Sequence, residues 1–593
     1  MRYFFKFIFL LPLMLLLSCK GHRIDEPAIT ANELEEHINY LASEKLKGRL
    51  PGTEGDFKSA SYIRDLMKSW ELVPAVENGL QGFEIVVSLE AGNNNFLSID
   101  NHSISNDQFL PYAFSENTSH SGPAVFAGYG FSIESDTLNW NDYKNIDVQG
   151  RWVMILRGDP EIDNSSSNFV KHSADRDKVM LAKDKGAGGV LMVSGEKYDP
   201  KDEFEALSEG EFSTGIPVFR IKRETANRIL KAYDVTISEL EEKLNSTYAP
   251  ASFETDCAVE GTSALVEQRV TTHNVLMILP GNDSILRDEY IIIGGHYDHL
   301  GMGGPGSSSR TPDTSAVHYG ADDNASGIAS LLEIAERFAA EKNNARSILF
   351  AGFAAEEMGL LGSKYLVDHL PVEAEKVNAM INLDMIGRLK ETRQLQVGGV
   401  GTASEFRKII LRNIDTLLLT PSLSEEGYGP SDHSSFYGKA IPVLFFSTGA
   451  HLDYHTPYDT PDKINYPGLV TVSELVYNIS LELAGKGQKL TFREAGPKTQ
   501  NRRRMRHGGG VTLGIMPDFA GNIKNGLRAD FVIPGRPAAL GGMKKDDIIT
   551  AINGKAVNNI EDYMYRLSKL KAGENIQVEI IRDNKKELLL IAL

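Results

Sequence analysis

Several short stretches carry histidine or carboxylate side chains where an apolar run ends. His296 and Asp298 follow "YIIIGG", Glu356 and Glu357 follow "ILFAGFAA", Asp384 closes "VNAMINL", and His455 lies in "DYHTPYDT" beyond "IPVLFFS". Asp323, in "GADDNASG", leads into the apolar periodicity of "IASLLEIAERF". Carboxylates and imidazoles are the hard oxygen and borderline nitrogen donors that zinc accepts. If Asp323, Glu357 and Asp384 join His296 and His455, and one carboxylate bridges, two zinc ions each receive three protein ligands and share a water. The ions outweigh the carboxylates, and the residual positive charge lowers the pKa of that water and polarises a carbonyl. Glu356, adjacent to a ligand, is then a general base. Asp298, two residues after His296, is expected to hold the imidazole N–H, and Tyr454, before His455, to donate its phenol to an oxyanion. Each residue also has an ordinary reading: an acidic pair after a strand is a solvated helix start, and Asp and Asn before a helix cap its free N–H groups. All of them falling at one end of one sheet is what favours a site.

That common end follows from the elements. From about residue 272, strands such as "EYIIIGGHYD" and "RSILFAGFAAEE" alternate with helices such as "GIASLLEIAERFAAE", which predicts an α/β fold: a mostly parallel or mixed sheet with helices on both faces. In open α/β sheets ligands bind beyond the carboxyl ends of the strands, so residues distant in sequence converge there. Residues 31–72 show helical spacing broken by "KGRLPGTEG", and roughly 110–260 holds short apolar runs with one helix at "KVMLAKDKGA", a separate β-rich module. The polar stretch 486–510, with its "RRRMRH" run, reads as a linker, and 511–593 as a small independent domain.

The whole chain sets further bounds. It has 593 residues, 41% apolar and 24% charged, which suits several globular domains. A net charge of −18 leaves no general basic footprint for a nucleic-acid partner. The opening "MRYFFKFIFLLPLMLLLSC" has Arg2 and Lys6, a short apolar run and then Cys19, and it resembles a bacterial lipoprotein signal in which the chain is cut before Cys19 and that thiol is lipidated. Cys257 is then left without a disulfide partner and reads as a packed side chain.

With the motifs "GGHYDHLG", "GADDNASG", "AAEEMGLLGS", "INLDMIG", "PSDHSSF" and "YHTPYDT" in order over residues 294–460, the chain resembles the co-catalytic zinc aminopeptidase family, whose relatives include glutamate carboxypeptidase, glutaminyl cyclase and the metal-free transferrin receptor. The resemblance implies a zinc exopeptidase fold with His296 and Asp384 on one zinc, Glu357 and His455 on the other, and Asp323 across both. It also implies Glu356 as base, Asp298 as the orienting acid, Tyr454 near the oxyanion and a cis Asp323–Asn324 peptide. The stretch from "GPAVFAGYGF" to "GIPVFRI" resembles a protease-associated domain, and "VTLGIMPD" to "IQVEIIRD" a PDZ domain, with Leu513, Gly514, Ile515 and Met516 where a peptide's C-terminal carboxylate and added strand would lie. Two departures stand out. Trp70-Glu71-Leu72 lacks the glycine common before that leucine and is read as local loop variation; Asp546-Asp547 replaces a common Gly-Asp, which predicts a strained or reshaped turn.

The expected organisation is a signal peptide over 1–19, an N-terminal peptidase segment over 28–110, a protease-associated domain over 111–262, the di-zinc domain over 263–485, a linker over 486–510 and a PDZ-like domain over 511–593. The expected function is hydrolysis of N-terminal residues of peptides at a lipid-anchored site in the cell envelope. Carboxypeptidase or glutaminyl cyclase chemistry on the same fold, and a lipid-anchored peptide-binding protein with a structural metal, are the alternatives. Arg310 and Arg388 lie near the motifs but read as surface residues.

Overall fold

In the computed structural model, residues 28–495 and 511–593 are described apart from 136, 165–166, 206, 208–211, 305–306, 518–522, 524 and 534. The signal segment with Cys19 and the "RRRMRH" run lie outside the described residues. Among the described residues no helix is long and apolar enough to cross a membrane.

The peptidase domain is built on a nine-stranded mixed sheet. Its centre is four parallel neighbours in the order Ser347–Phe353, Tyr290–His296, Val377–Leu383 and Val443–Ser447. Antiparallel strands flank them, Leu265–Leu279 beside the first and Gln394–Gly398 beside the last. Side chains along each central strand alternate between two buried faces. Ile291, Ile293, Ile348 and Phe350 meet the helices Ala31–Leu41, Glu54–Ser69, Gly327–Glu341 and Tyr466–Ala484. Ile292, Leu349 and Ala351 pack on the other side with Leu366, Phe436 and Tyr437. A continuous apolar run is the signature of a strand covered on both faces, which is why "YIIIGG" and "SILFAGF" read so plainly.

Residues 31–69 form two helices capped by Thr30 and Thr53, whose hydroxyls accept from the N–H of Glu33 and Asp56. The second ends in a left-handed turn: Glu71 has φ 66°, its N–H donates to Lys68 O, and Leu72 N–H reaches back to Met67 O. This is a Schellman motif, and the position that usually takes glycine holds Glu71. The missing glycine is therefore a helix-terminus feature rather than loop variation. Asp546, at φ 67°, likewise occupies a left-handed turn that suits glycine.

The inserted domain is an eight-stranded sheet in the order His102–Ser103, Phe96–Ile99, Phe253–Thr262, Ser119–Phe126, Trp152–Leu156, Gly189–Val193, Val218–Ile221 and Phe109–Pro111. Its first strand starts at Phe96, not after residue 110, because that strand pairs with Phe253–Thr262 and Phe109–Pro111 with Val218–Ile221. At the far end, the stretch assigned to a linker begins as part of the peptidase domain: Phe492 bridges Ala403, Arg493 N–H donates to Thr402 O, and Leu490 is buried. The C-terminal domain has strands Ile515–Pro517, Leu527–Val532, Ile548–Ile552, Asn575–Arg582 and Lys585–Ala592, and a helix Ile560–Ser568 capped by Asn559. Among the described residues Ile515–Pro517 is an edge strand, paired through Leu527–Val532. The helix faces the inserted domain, where Arg176 pairs with Glu561 at 2.7 Å and Asp562 at 3.0 Å, and Arg566 pairs with Asp184 at 2.5 Å.

Candidate active site

The four parallel strands end together, and their following loops carry the polar cluster. Asp323 stands at its centre. Its Oδ1 lies 3.3 Å from His296 Nε2, and its Oδ2 lies 3.3 Å from His455 Nε2. His296 Nε2 is also 3.5 Å from Asp384 Oδ1, and His455 Nε2 is 3.0 Å from Glu357 Oε2. The structure thus gathers the other four expected donors around the two oxygens of the Asp323 carboxylate. His296, Asp323, Asp384 and His455 are buried.

His299, which the sequence reading passed over, belongs to the same group. Its Nδ1 is 2.8 Å from Glu357 Oε1 and 3.9 Å from Asp323 Oδ2. His299, Asp323 and Glu357 form one compact set of donors, and His296, Asp323 and Asp384 another. The signal was present in "GGHYDHLG", where His299 is the third titratable group of the loop that supplied His296 and Asp298.

The supporting residues explain how the donors are aimed. His455 has φ 56° and its Nδ1 donates to Ser308 O at 3.0 Å, which turns Nε2 toward the carboxylates. Asp459 Oδ2 accepts from the backbone N–H groups of Asp322 and Asp323 at 2.9 and 3.1 Å, and its other oxygen pairs with Arg388 at 3.2 Å. Arg388 also pairs with Asp453 at 2.9 Å, so it is committed to holding these loops. Asp322, left without a role by the sequence, accepts from Gly387 N–H at 2.6 Å and faces His451 at 3.3 Å. Asn324 caps the helix through Gly327 N–H at 3.0 Å and donates to Leu383 O at 2.9 Å, beside Asp384. The Asp323–Asn324 peptide is cis. Arg49, fully buried, donates to the carbonyls of Leu41, Tyr297, Tyr319 and Gly320, tying the N-terminal helices to the loop that precedes Asp323.

Asp298 serves differently from expectation. Its carboxylate lies 3.8 Å from His296 Nδ1, and that nitrogen is 3.3 Å from the Asp298 backbone carbonyl instead. The carboxylate accepts from the N–H groups of Glu356 and Glu357 at 3.1 and 3.4 Å, fixing the turn that presents both glutamates. A period-two strand argument missed this because the strand ends at His296. The Tyr454 ring stacks on His455 with centroids 3.8 Å apart.

Electrostatics show what the cluster requires. Burial opposes charge on His455, yet the Asp323 and Glu357 carboxylates push its pKa up to about 10. His296 is likewise desolvated, and Glu356, Asp384 and Asp323 raise it well above the usual histidine range. So many buried carboxylates demand positive charge among them, and two polar atoms of the cluster, Asp384 Oδ1 and His455 Nε2, make no hydrogen bond. Mixed oxygen and imidazole donors with unspent lone pairs fit zinc. Burial, with Asp432, Glu357 and Asp384 nearby, lifts Glu356 well above the ordinary glutamate value, although His296 pulls it back. Burial and the cluster's carboxylates hold the Tyr454 phenol protonated.

Sheet and donor set together define an α/β domain with a candidate metal centre at the carboxyl ends of its parallel strands. Residues 274–480 match the model for peptidase family M28, residues 120–229 that for the PA domain and residues 513–593 that for the PDZ domain. Matches to all three domain models are thus found along the chain. A probable leucine aminopeptidase of Arthroderma otae is 28% identical over 236 residues, 38% of this chain and 62% of that protein. Aminopeptidase YwaD of Bacillus subtilis is 26% identical over 457 residues, 75% of this chain and 84% of that protein. A solved zinc aminopeptidase from Bacillus subtilis aligns with 23% identity and a TM-score of 0.45, covering 79% of this chain and 99% of that one.

Proposed function

We propose that the chain is a zinc-dependent aminopeptidase that removes N-terminal residues from peptides and holds two zinc ions. The observation that carries this reading is Asp323, whose two oxygens face separate donor groups: His296 with Asp384, and Glu357 with His299 and His455. The relatives named as aminopeptidases support the direction of cleavage. Arg388, a candidate carboxylate clamp for the opposite direction, is bound to Asp453 and Asp459.

Zinc held by these residues supplies Lewis acidity to the scissile carbonyl and makes water acidic enough to attack near neutral pH. Glu356, largely buried and with its carboxyl raised well above the ordinary glutamate value, accepts a proton from the attacking water and passes it to the leaving amine. Tyr454, kept protonated, donates to the oxygen that gains charge. Asp298 holds the Glu356 backbone in register for this transfer. The test is an assay of the purified chain on aminoacyl, N-blocked and C-terminal reporters, before chelation, after it and after zinc return. Cleavage that requires both a free amine and zinc is expected; cleavage of N-blocked peptides from their C-terminal end overturns the direction.

The same reading extends to the flanks. Residues 1–19 would direct export and leave Cys19 lipidated, with the enzyme anchored at the membrane of the cell envelope; an intact mass lacking an acyl group on Cys19 overturns it. At the PDZ domain the edge strand Ile515–Pro517 suits addition of a peptide C-terminus next to Leu513, Gly514, Ile515 and Met516. Binding that ignores amidation of the peptide's carboxylate counts against this.

A further inference from the structure

A turn from the N-terminal segment is threaded between the loops that carry the metal donors. Gly48 and Arg49 both adopt left-handed backbone, at φ 72° and 52°. Their carbonyls accept from the loop of His296 and His299: Gly301 N–H donates to Gly48 O at 3.0 Å, and His299 N–H to Arg49 O at 3.4 Å. The approach leaves no room for a side chain, since a β-carbon at Gly48 would stand 2.3 Å from Gly301 O and 2.7 Å from His318 O. Position 48 therefore needs glycine, and Arg49 projects its side chain from a backbone that few residues with a β-carbon adopt.

That side chain, with no exposed surface, reaches both loops. Nε donates to Tyr297 O at 2.7 Å, the carbonyl between His296 and Asp298. Nη1 and Nη2 donate to Tyr319 O at 2.8 Å and Gly320 O at 2.9 Å, just ahead of Asp323. Gly320 O also accepts from Ala325 N–H at 3.2 Å, so the turn holding Asp323 closes on the same atom. Nη1 further donates to Leu41 O at 2.6 Å, at the C-terminal end of the helix Ala31–Leu41, where the helix dipole favours a cation. A buried charge needs more than neutral acceptors to balance it. Here the site supplies the balance: burial lowers the Arg49 pKa to about 10, and Asp323, Asp298, Asp459 and Glu357 oppose that fall. Arg49 thus remains a cation at neutral pH, held through a planar fork that lysine, a point charge on a flexible stem, does not reproduce.

We propose that Arg49 is a positioning residue of the metal centre: it fixes the separation of the loop carrying His296 and His299 from the loop carrying Asp323, and thereby how tightly the site holds zinc. The inference rests on the zinc reading above and adds to it a residue outside the donor set. Groups that hold metal donors in place change affinity by about 10–100-fold when lost, although they never touch the ion. The linkage is reciprocal, so zinc in turn steadies the turn at residues 48 and 49.

The test is calorimetric titration of zinc into the metal-free full chain, for the parent, Arg49→Lys and Arg49→Met. Arg49→Lys retains the charge and loses the fork, and its zinc affinity is expected to fall about 10–100-fold. Cobalt loaded in place of zinc is expected to show a shifted visible spectrum in the same variant, a reading of donor geometry that a loss of stability alone leaves unchanged. Arg346→Lys is the control. Arg346 is also buried and donates to Leu483 O and Gly487 O, but it stands at the opposite end of the parallel strands, before Ser347. Its change to lysine is expected to lower the midpoint of thermal unfolding and to keep the parent's zinc affinity and cobalt spectrum; an equal loss of affinity there marks general destabilisation and overturns the proposal. Should Arg49→Lys fail to fold, hydrogen exchange of the parent decides: residues 46–50 are expected to exchange more slowly with zinc than without, and equal rates overturn the proposal. Parental zinc affinity and cobalt spectrum in Arg49→Lys overturn it as well, whether or not Arg49→Met differs, since an effect of charge alone is not positioning. Each of these results leaves the aminopeptidase reading standing. A parent that binds zinc and cleaves no free-amine peptide overturns that reading instead, and the titration still decides the role of Arg49.

Discussion

At the scale of single residues, the site is a case of charge placed where water is scarce. Glu356 is a neighbour of the donors rather than one of them, its closest histidine contact being 4.0 Å to His296 Nε2. Glu356→Gln keeps the shape and removes the base, so kcat/KM on a leucyl reporter is expected to fall by about 10²–10⁴ while bound zinc, measured by elemental analysis, stays at the parent level. Asp56 offers a titration away from the cluster. It is buried, accepts from Gly52 N–H and the Thr272 hydroxyl, and burial raises its pKa to about 6 from 3.8. A carboxyl raised on folding contributes most where both states are protonated, below about pH 4, and that contribution is lost as pH climbs through about 6. In Asp56→Asn the side chain does not titrate, and its amide oxygen can accept both hydrogen bonds. Denaturant unfolding from pH 4 to 6 is therefore expected to shift the stability difference toward the Asp56→Asn variant by up to about 3 kcal/mol.

Among elements, helix ends decide how loops meet strands. The helix Gly327–Glu341 starts under the cluster, and a side chain at Gly327 would meet Leu383 O at 2.5 Å and Asn324 Oδ1 at 2.4 Å. Glycine there lets the helix start lie directly against the strand end that carries Asp384. The opposite case is Glu71, a β-carbon in a left-handed C-terminal turn where glycine rests without strain. Its ion pair with Lys342, 3.4 Å long between two exposed side chains, adds little. Glu71→Gly is expected to stabilise the chain by about 1 kcal/mol, read as a small rise in the midpoint of thermal unfolding with activity unchanged. The motif comparison flagged this position in the sequence, but only the φ angle and the two closing hydrogen bonds assign it to a helix terminus.

For the whole molecule, polar contacts hold three domains in one arrangement. The PDZ helix is joined to the inserted domain by Arg176, whose partner Asp562 has no exposed side-chain surface. Removing one member of a buried pair strands the other, at about 3–5 kcal/mol. Arg176→Ala is therefore expected to release the PDZ domain, seen as a separate low-temperature calorimetric transition and a larger radius of gyration in solution scattering.

Much of this protein was legible in its residues. The both-faces-buried strands follow from unbroken apolar runs such as "YIIIGG", the helix starts from Thr30, Thr53 and Asn559, and the donor set from histidines and carboxylates that each follow a strand, because these properties are local and carry their own periodicity. Tertiary structure alone decided the rest. It put His299 on Glu357, moved the Asp298 carboxylate from the imidazole to two backbone N–H groups, gave buried Arg49 its four carbonyls, started the inserted sheet at Phe96, and set the PDZ domain against the cleft. Each of these depends on which distant segments pair, and pairing is fixed by burial and hydrogen-bond completion across the whole fold, a quantity that no single stretch of sequence contains.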